Sequence, residues 1–225
     1  MIAFATQAVR ESPGTHSPYA ANSLALRERG LFAVAMAYND CNTARDAACA
    51  IIDELSKAHA ELLNLEKCFA RANLRFAAHD AAHPSEWTGG TSLVAASIDP
   101  KGKAILAHTG EVTAFRIHDD GVERLAHPHN LDTEREKLGL PSADPDLAKF
   151  VLRSLGSPNW RPDVVTFELV PGDRLALMTR TVADVTPHSI RAEILRGPLE
   201  HAARKLVDAL AHNQVGACVV VHFEA

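Results

Sequence analysis

The chain has 225 residues, 47% of them hydrophobic, and a formal net charge of −5. That length can bury one sizeable core, and the balance disfavours both a disordered chain and a nucleic-acid binder. No basic patch is interleaved with aromatics, no apolar run approaches the ~20 residues that span a bilayer, and the opening MIAFATQAVRESPG lacks the features of an export signal, so a cytoplasmic protein without membrane contact is expected.

Leu31–Ala37 is a short, almost unbroken apolar run, as expected of a central strand. Thr43–Leu55 and His59–Ala78 follow helical periodicity, with Ala47, Ala50, Ile51 and Leu55 on one stripe and Leu62, Leu65, Phe69 and Ala72 on another. Ser92–Ile98, Ala104–Thr109 and Val112–Ile117 read as consecutive strands, and Asp119-Asp120-Gly121 as a turn before a short strand, Val122–Leu125. Asp144–Leu155 is predicted to be a helix, capped by Asp144 ahead of Pro145. Val164–Val170 is rich in β-branched residues, Pro171-Gly172-Asp173 turns the chain, and Leu175, Leu177 and Thr179 alternate on the way back, which predicts a hairpin. Ser189–Leu195 and Pro198–Leu210 are predicted helices and Ala217–Phe223 a final strand. With no linker or repeat, residues 1–225 form one α+β domain with antiparallel sheets.

Cys41, Cys49, Cys68 and Cys218 have neither metal-ligand nor redox spacing and read as small core residues in a reducing compartment. His79 and His83 are spaced to share a helix face, but no acidic general base lies between them, and Pro84 ends the helix, so they read as solvated. His127-Pro128-His129 reads as a loop pair, with transition-metal binding as the lesser alternative. No nucleophile elbow, phosphate-cradling glycine loop or dinucleotide fingerprint is present.

The segment Glu168–Thr181 closely resembles a stretch of the type 2C (PPM) metal-dependent serine/threonine protein phosphatases, written L-x-P-G-D-x-L-L-L-x-S-D-G-L-x-D. Other pieces resemble the same family in the same order. Gly30–Ala35 is similar to its G-L-F-x-V-A strand, Ala70–Asn73 to A-x-x-A-N, and Gly90–Ala95 to G-T-T-L-V-A. Gly110–Phe115 takes the place of G-D-S-R-A-Y, Leu152–Gly156 of L-T-R-A-L-G, and Ala217–Phe223 of the last strand. The resemblance implies a four-layer α-β-β-α sandwich, two antiparallel sheets flanked by helix pairs.

The same comparison implies a lost metal centre. The family's first aspartate falls near Ala21 or Asn22, and that of D-G-M-G-G on Met36, with Ala37 replacing its glycine. The aspartate of S-D-G falls on Arg180, and that of D-N-I-T on Val215 or a neighbour. No phosphate-gripping arginine precedes Asn22 at the family's usual spacing; His16 or Ser17 is nearest. Magnesium and manganese want oxygen ligands, mostly carboxylates, and a cation repels them. The resemblance therefore implies a catalytically inactive pseudophosphatase with no cofactor and no catalytic residue. It would bind a protein, a phosphoprotein or a kinase-pathway component, in signalling. Two alternatives stay open: an active phosphatase holding manganese or magnesium on displaced ligands, and an anion sensor acting through Arg180. Asp40, Glu111 and Asp184 are the acids expected near the cleft. The plainer reading makes Glu111 a solvated turn residue and Asp184 a loop anchor. Arg180 is expected to point into the cleft and pair with Asp184 or Asp40.

Overall fold

The computed structural model describes residues 2–10, 19–38, 44–57, 64–82, 90–140, 147, 150–184, 189, 190, 192, 194, 197–210 and 214–224. They form two five-stranded antiparallel sheets. In chain order the strands are β1 (Ile2–Arg10), β2 (Tyr19–Leu26), β3 (Leu31–Tyr38), β4 (Gly90–Ile98), β5 (Lys103–Thr109), β6 (Val112–Ile117), β7 (Val122–Ala126), β8 (Asp163–Glu168), β9 (Arg174–Thr179) and β10 (Gly216–Phe223). One sheet runs β1-β10-β9-β6-β7 and the other β2-β3-β4-β5-β8.

The pleat of β3 shows why the layers stack as they do. Phe32 and Val34 face the other sheet and meet Val94, Leu106, Leu175, Leu177, Val219 and Val221 in the central core. Leu31, Ala33, Ala35 and Ala37 face the opposite way, onto α1 (Ala44–Ser56) and α2 (Leu65–Ala82), where Ile51, Leu55, Phe69 and Ala72 complete a second core. A strand buried on both faces needs this unbroken apolar run, whereas a half-buried one would alternate. On the far sheet, Ala202, Ala203, Leu206 and Val207 of a later helix, Leu199–Asp208, pack with Ile190 and Ile194 against Ala176, Met178 and Val220. The four-layer sandwich is the observed architecture.

Two expectations are corrected, and three elements are added. Pro171-Gly172 does not close a hairpin, since β8 pairs with β5 in one sheet while β9 pairs with β6 and β10 in the other. The turn instead carries the chain between sheets, held by buried Asp173, whose carboxylate accepts from Val170 N at 2.9 Å and Arg116 Nε at 2.9 Å. Of the helix predicted over Asp144–Leu155, residues 150–155 are extended and most of the rest lies outside the described residues. Leu155 exchanges backbone hydrogen bonds with Thr91, at 3.1 and 2.9 Å, and Val151 bridges to Asn130. Pairing with distant strands satisfies that backbone in place of helical bonds. Finally, β1, β2 and a seven-residue helix, α3 (Leu131–Lys137), have no counterpart in the sequence reading.

Candidate functional site

The turn between β5 and β6 organises the site. Gly110 sits at φ 86°, and a Cβ there would lie 2.3 Å from Ser92 Oγ, so glycine is required both by the left-handed backbone and by the space. The same Ser92 hydroxyl accepts from Glu111 N at 2.8 Å, which fixes the turn. Because Val112 pairs with Thr179, the end of β9 arrives beside it, and Arg180 N donates to the Glu111 carbonyl at 3.1 Å.

The Arg180 side chain turns toward the acids. Its Nη1 lies 2.9 Å from Glu111 Oε1 and its Nε 3.2 Å from Asp184 Oδ2. Asn130 caps α3 by accepting from Thr133 N at 2.8 Å, and its Nδ2 donates to the same Glu111 oxygen at 3.0 Å. The Glu111 side chain is 13% exposed and Asp184 61%, so the Glu111 contact is the shielded one. The expected pairing with Asp184 is present. Glu111 is not the solvated turn residue expected of it, but the second partner of Arg180. Asp40, the other expected partner, lies outside the described residues.

The remaining predicted positions disperse. Asn22 faces the helix layer, where its Nδ2 donates to Cys49 Sγ at 3.3 Å while its Oδ1 accepts from Ser23 N at 2.8 Å. Ala21, paired with Met36 across β2 and β3, occupies the face between the sheets. Met36, Ala37 and Val215 are buried and present no side-chain oxygen. Val215 contributes only its carbonyl, which accepts from Thr181 Oγ1 at 2.7 Å. The Arg180 guanidinium already engages both described acids of this cleft, so these residues do not fit a pair of dications.

A second cluster adjoins the first through the same turn. His129, buried, donates its backbone N–H to the Gly110 carbonyl at 2.9 Å, and its Nδ1 accepts from Gly110 N at 3.2 Å. The proton therefore sits on Nε2, which donates to Asp163 Oδ2 at 3.1 Å. Arg153 Nη1 holds the other carboxylate oxygen at 2.6 Å. His108, opposite Asp163 in the β5–β8 register, stacks on His129 with ring centroids 4.7 Å apart and planes 23° apart. Burial, and then the neighbouring His129, push the His108 pKa down from 6.5 to about 3. Burial lowers His129 too, despite the Asp163 hydrogen bond, so a neutral imidazole donates to the carboxylate and the two do not form an ion pair. For Asp163, burial opposes the charge, but the hydrogen bonds from Arg153 and His129 outweigh it and hold the carboxyl below its ordinary range.

Sequence reasoning isolated His129 only as half of a loop pair, and its neighbour His127 is exposed. His108 and Asp163 lie in strands far apart in sequence, and only the β5–β8 register joins them. The side chain of His79 and all of His83 lie outside the described residues. Among the described residues, His108, His129 and Asp163 are the group of three donors close enough to share a metal ion, with ligand atoms within 4.8 Å of one another. Cys68 and Cys218 are free thiols, and burial raises the pKa of both.

No family model matches the chain, and no curated protein does. Solved structures do. PppA, a key regulatory component of the T6SS in Pseudomonas aeruginosa, superposes with a TM-score of 0.83 at 18% identity, over 98% of this chain and 98% of its own. The PPM Ser-Thr phosphatase MsPP from Mycobacterium smegmatis, in complex with cacodylate, gives 0.84 at 22% identity over 99% of each chain. The catalytic domain of the serine/threonine phosphatase PstP, in complex with 2 manganese ions, gives 0.77 at 18% identity over 98% of this chain and 100% of its own. Two findings thus overturn the expectation of no cofactor: the fold is shared with a manganese-bound phosphatase domain, and a donor set for a metal ion exists at His108, His129 and Asp163. With sheets, layers and chain order alike, the protein has the fold of the PPM serine/threonine phosphatases.

Proposed function

We propose that the chain uses the phosphatase fold as a protein-binding, regulatory module in signalling and does not hydrolyse phosphoesters. One observation carries this reading: Arg180 lies 2.9 Å from Glu111 and 3.2 Å from Asp184. Two-metal phosphoester hydrolysis depends on negative side chains that clamp cations and, through them, the attacking and leaving oxygens. Here a side-chain cation that cannot be deprotonated takes the place of such a cation. Met36 and Val215, both buried, add no oxygen with which to rebuild the cluster.

The two carboxylates that already engage the Arg180 guanidinium weigh against its sensing an anion, since an incoming phosphate would have to displace them. The likeness to PppA, a regulatory component, supports a regulatory role, and the free thiols support a reducing, cytoplasmic setting.

The test is release of phosphate from phosphoserine and phosphothreonine peptides by purified protein, with millimolar manganese and again with magnesium. No release above the buffer control is expected. Turnover that a chelator abolishes and manganese restores would reinstate the active-phosphatase alternative.

A further inference from the structure

We propose that His108, His129 and Asp163 form a binding site for a single transition-metal ion, zinc above all, apart from the Arg180 cleft. The ligand atoms lie within 4.8 Å of one another on three separate segments. His108 sits on β5, His129 just ahead of α3, and Asp163 at the start of β8.

One observation points to an ion rather than to a finished hydrogen-bond network, and a second shows that the geometry admits one. The first is His108. It is 3% exposed, and its buried Nδ1 has no hydrogen-bond partner among the described residues. An unsatisfied buried nitrogen is costly, and native structures rarely leave one without a role. The second is the spacing of His129 Nε2 and Asp163 Oδ2, 3.1 Å. Zinc–nitrogen and zinc–oxygen bonds of ~2.0–2.2 Å at a tetrahedral angle place two ligand atoms ~3.3–3.6 Å apart, so this pair has to open by only a few tenths of an ångström. An ion fits where the shared proton now lies. Arg153 meanwhile keeps the other Asp163 oxygen and holds the carboxylate in orientation, as partners behind a metal ligand do.

Binding requires two local changes. The His129 proton moves from Nε2 to Nδ1, so Gly110 N gives up its 3.2 Å bond, the longest in the cluster. The stacked His108 ring rotates, because near-parallel rings direct their lone pairs along parallel lines. The proton stays on His129, so the charge of the three side chains is unchanged. Two imidazoles and one carboxylate leave a fourth position for water, the donor pattern of an open zinc site. Two nitrogen donors also favour zinc over manganese.

The test is calorimetric titration of the intact protein with zinc chloride and, separately, manganese chloride, with circular dichroism confirming the fold of each variant. Wild type is expected to bind one zinc ion, and manganese at least ~10-fold more weakly. His108→Asn and Asp163→Asn are each expected to weaken zinc binding at least ~100-fold, while His127→Ala leaves it unchanged. Should the Asp163 variant unfold, the His108 variant still decides. Nitrogen-15 spectra supply the independent readout: zinc should shift the His129 proton from Nε2 to Nδ1. No zinc binding at micromolar concentration, binding that survives His108→Asn, or an unmoved His129 tautomer would overturn the proposal. None of these outcomes bears on phosphate release, so the two readings fail separately.

Discussion

The two clusters on either side of the Gly110–Glu111 turn handle buried polarity in opposite ways. In the Arg180 cleft the carboxylates already have their cation, and Asn130 completes the shielded one, Glu111, by hydrogen bonding to the same oxygen as Arg180. In the histidine cluster the polar groups are equally close, yet His108 Nδ1 is left without a described partner. A closed ion pair is worth most as a fixed element of structure, since breaking it from one side strands a charge. An unsatisfied donor set is a candidate for chemistry. The same backbone turn thus joins a sealed site to an incomplete one.

The most damaging change should be the one that breaks both. Gly110→Ala puts a Cβ 2.3 Å from Ser92 Oγ at a φ of 86°, and disturbs both the backbone N–H that donates to His129 Nδ1 and the carbonyl that accepts from His129 N. A loss of ~2–4 kcal/mol is expected in denaturant unfolding. A cost below ~1 kcal/mol would show that the turn is not the common support.

The histidine cluster has a pH signature of its own. His108 is held neutral in the fold, its pKa pushed from 6.5 to about 3, so below pH 6.5 the unfolded chain binds a proton that the native state refuses. Stability is therefore lost as pH falls from 6.5 toward about 3, by up to ~1.4 kcal/mol per pH unit for this one group. Asp163, held low, adds to the loss only at the acid end, as pH falls through its depressed native value. His108→Gln should flatten the upper part of that profile, measured by thermal unfolding across pH; an unchanged slope would mean that His108 is not buried neutral.

The smallest effect belongs to the rim. Asp184 is 61% exposed, and its pair with Arg180 is screened by solvent. Asp184→Asn should change stability by no more than ~0.5 kcal/mol, and a larger loss would move the weight of the ion pair from Glu111 to Asp184.

The layered fold was legible because patterns of burial are local. The unbroken run of β3 and the stripes of α1 and α2 announce which faces are covered. Strand partners are not local, which is why the Pro171-Gly172 turn reads as a hairpin although it joins two sheets. The 150–155 segment follows a helical pattern yet is not helical for the same reason, since its partners, Thr91 and Asn130, are distant in sequence. In the site, the sequence exposed Arg180 through a family motif and offered Asp184 as partner. Glu111 was visible as a nearby acid but not as the inner partner, because that depends on the β6–β9 register. Asn22 turned out to face α1, since one residue of strand parity decides which layer a side chain meets. His108 and Asp163 carried no motif at all.

The central claim is that Arg180 is the cleft's own cation, locked to Glu111. A double-mutant cycle tests it most directly, comparing unfolding free energies of wild type, Arg180→Ala, Glu111→Gln and the double variant. With 24% and 13% of the two side chains exposed, a favourable coupling of ~1–3 kcal/mol is expected, and each single variant should cost more than its share of the double. Strictly additive losses, with coupling near zero, would contradict the account.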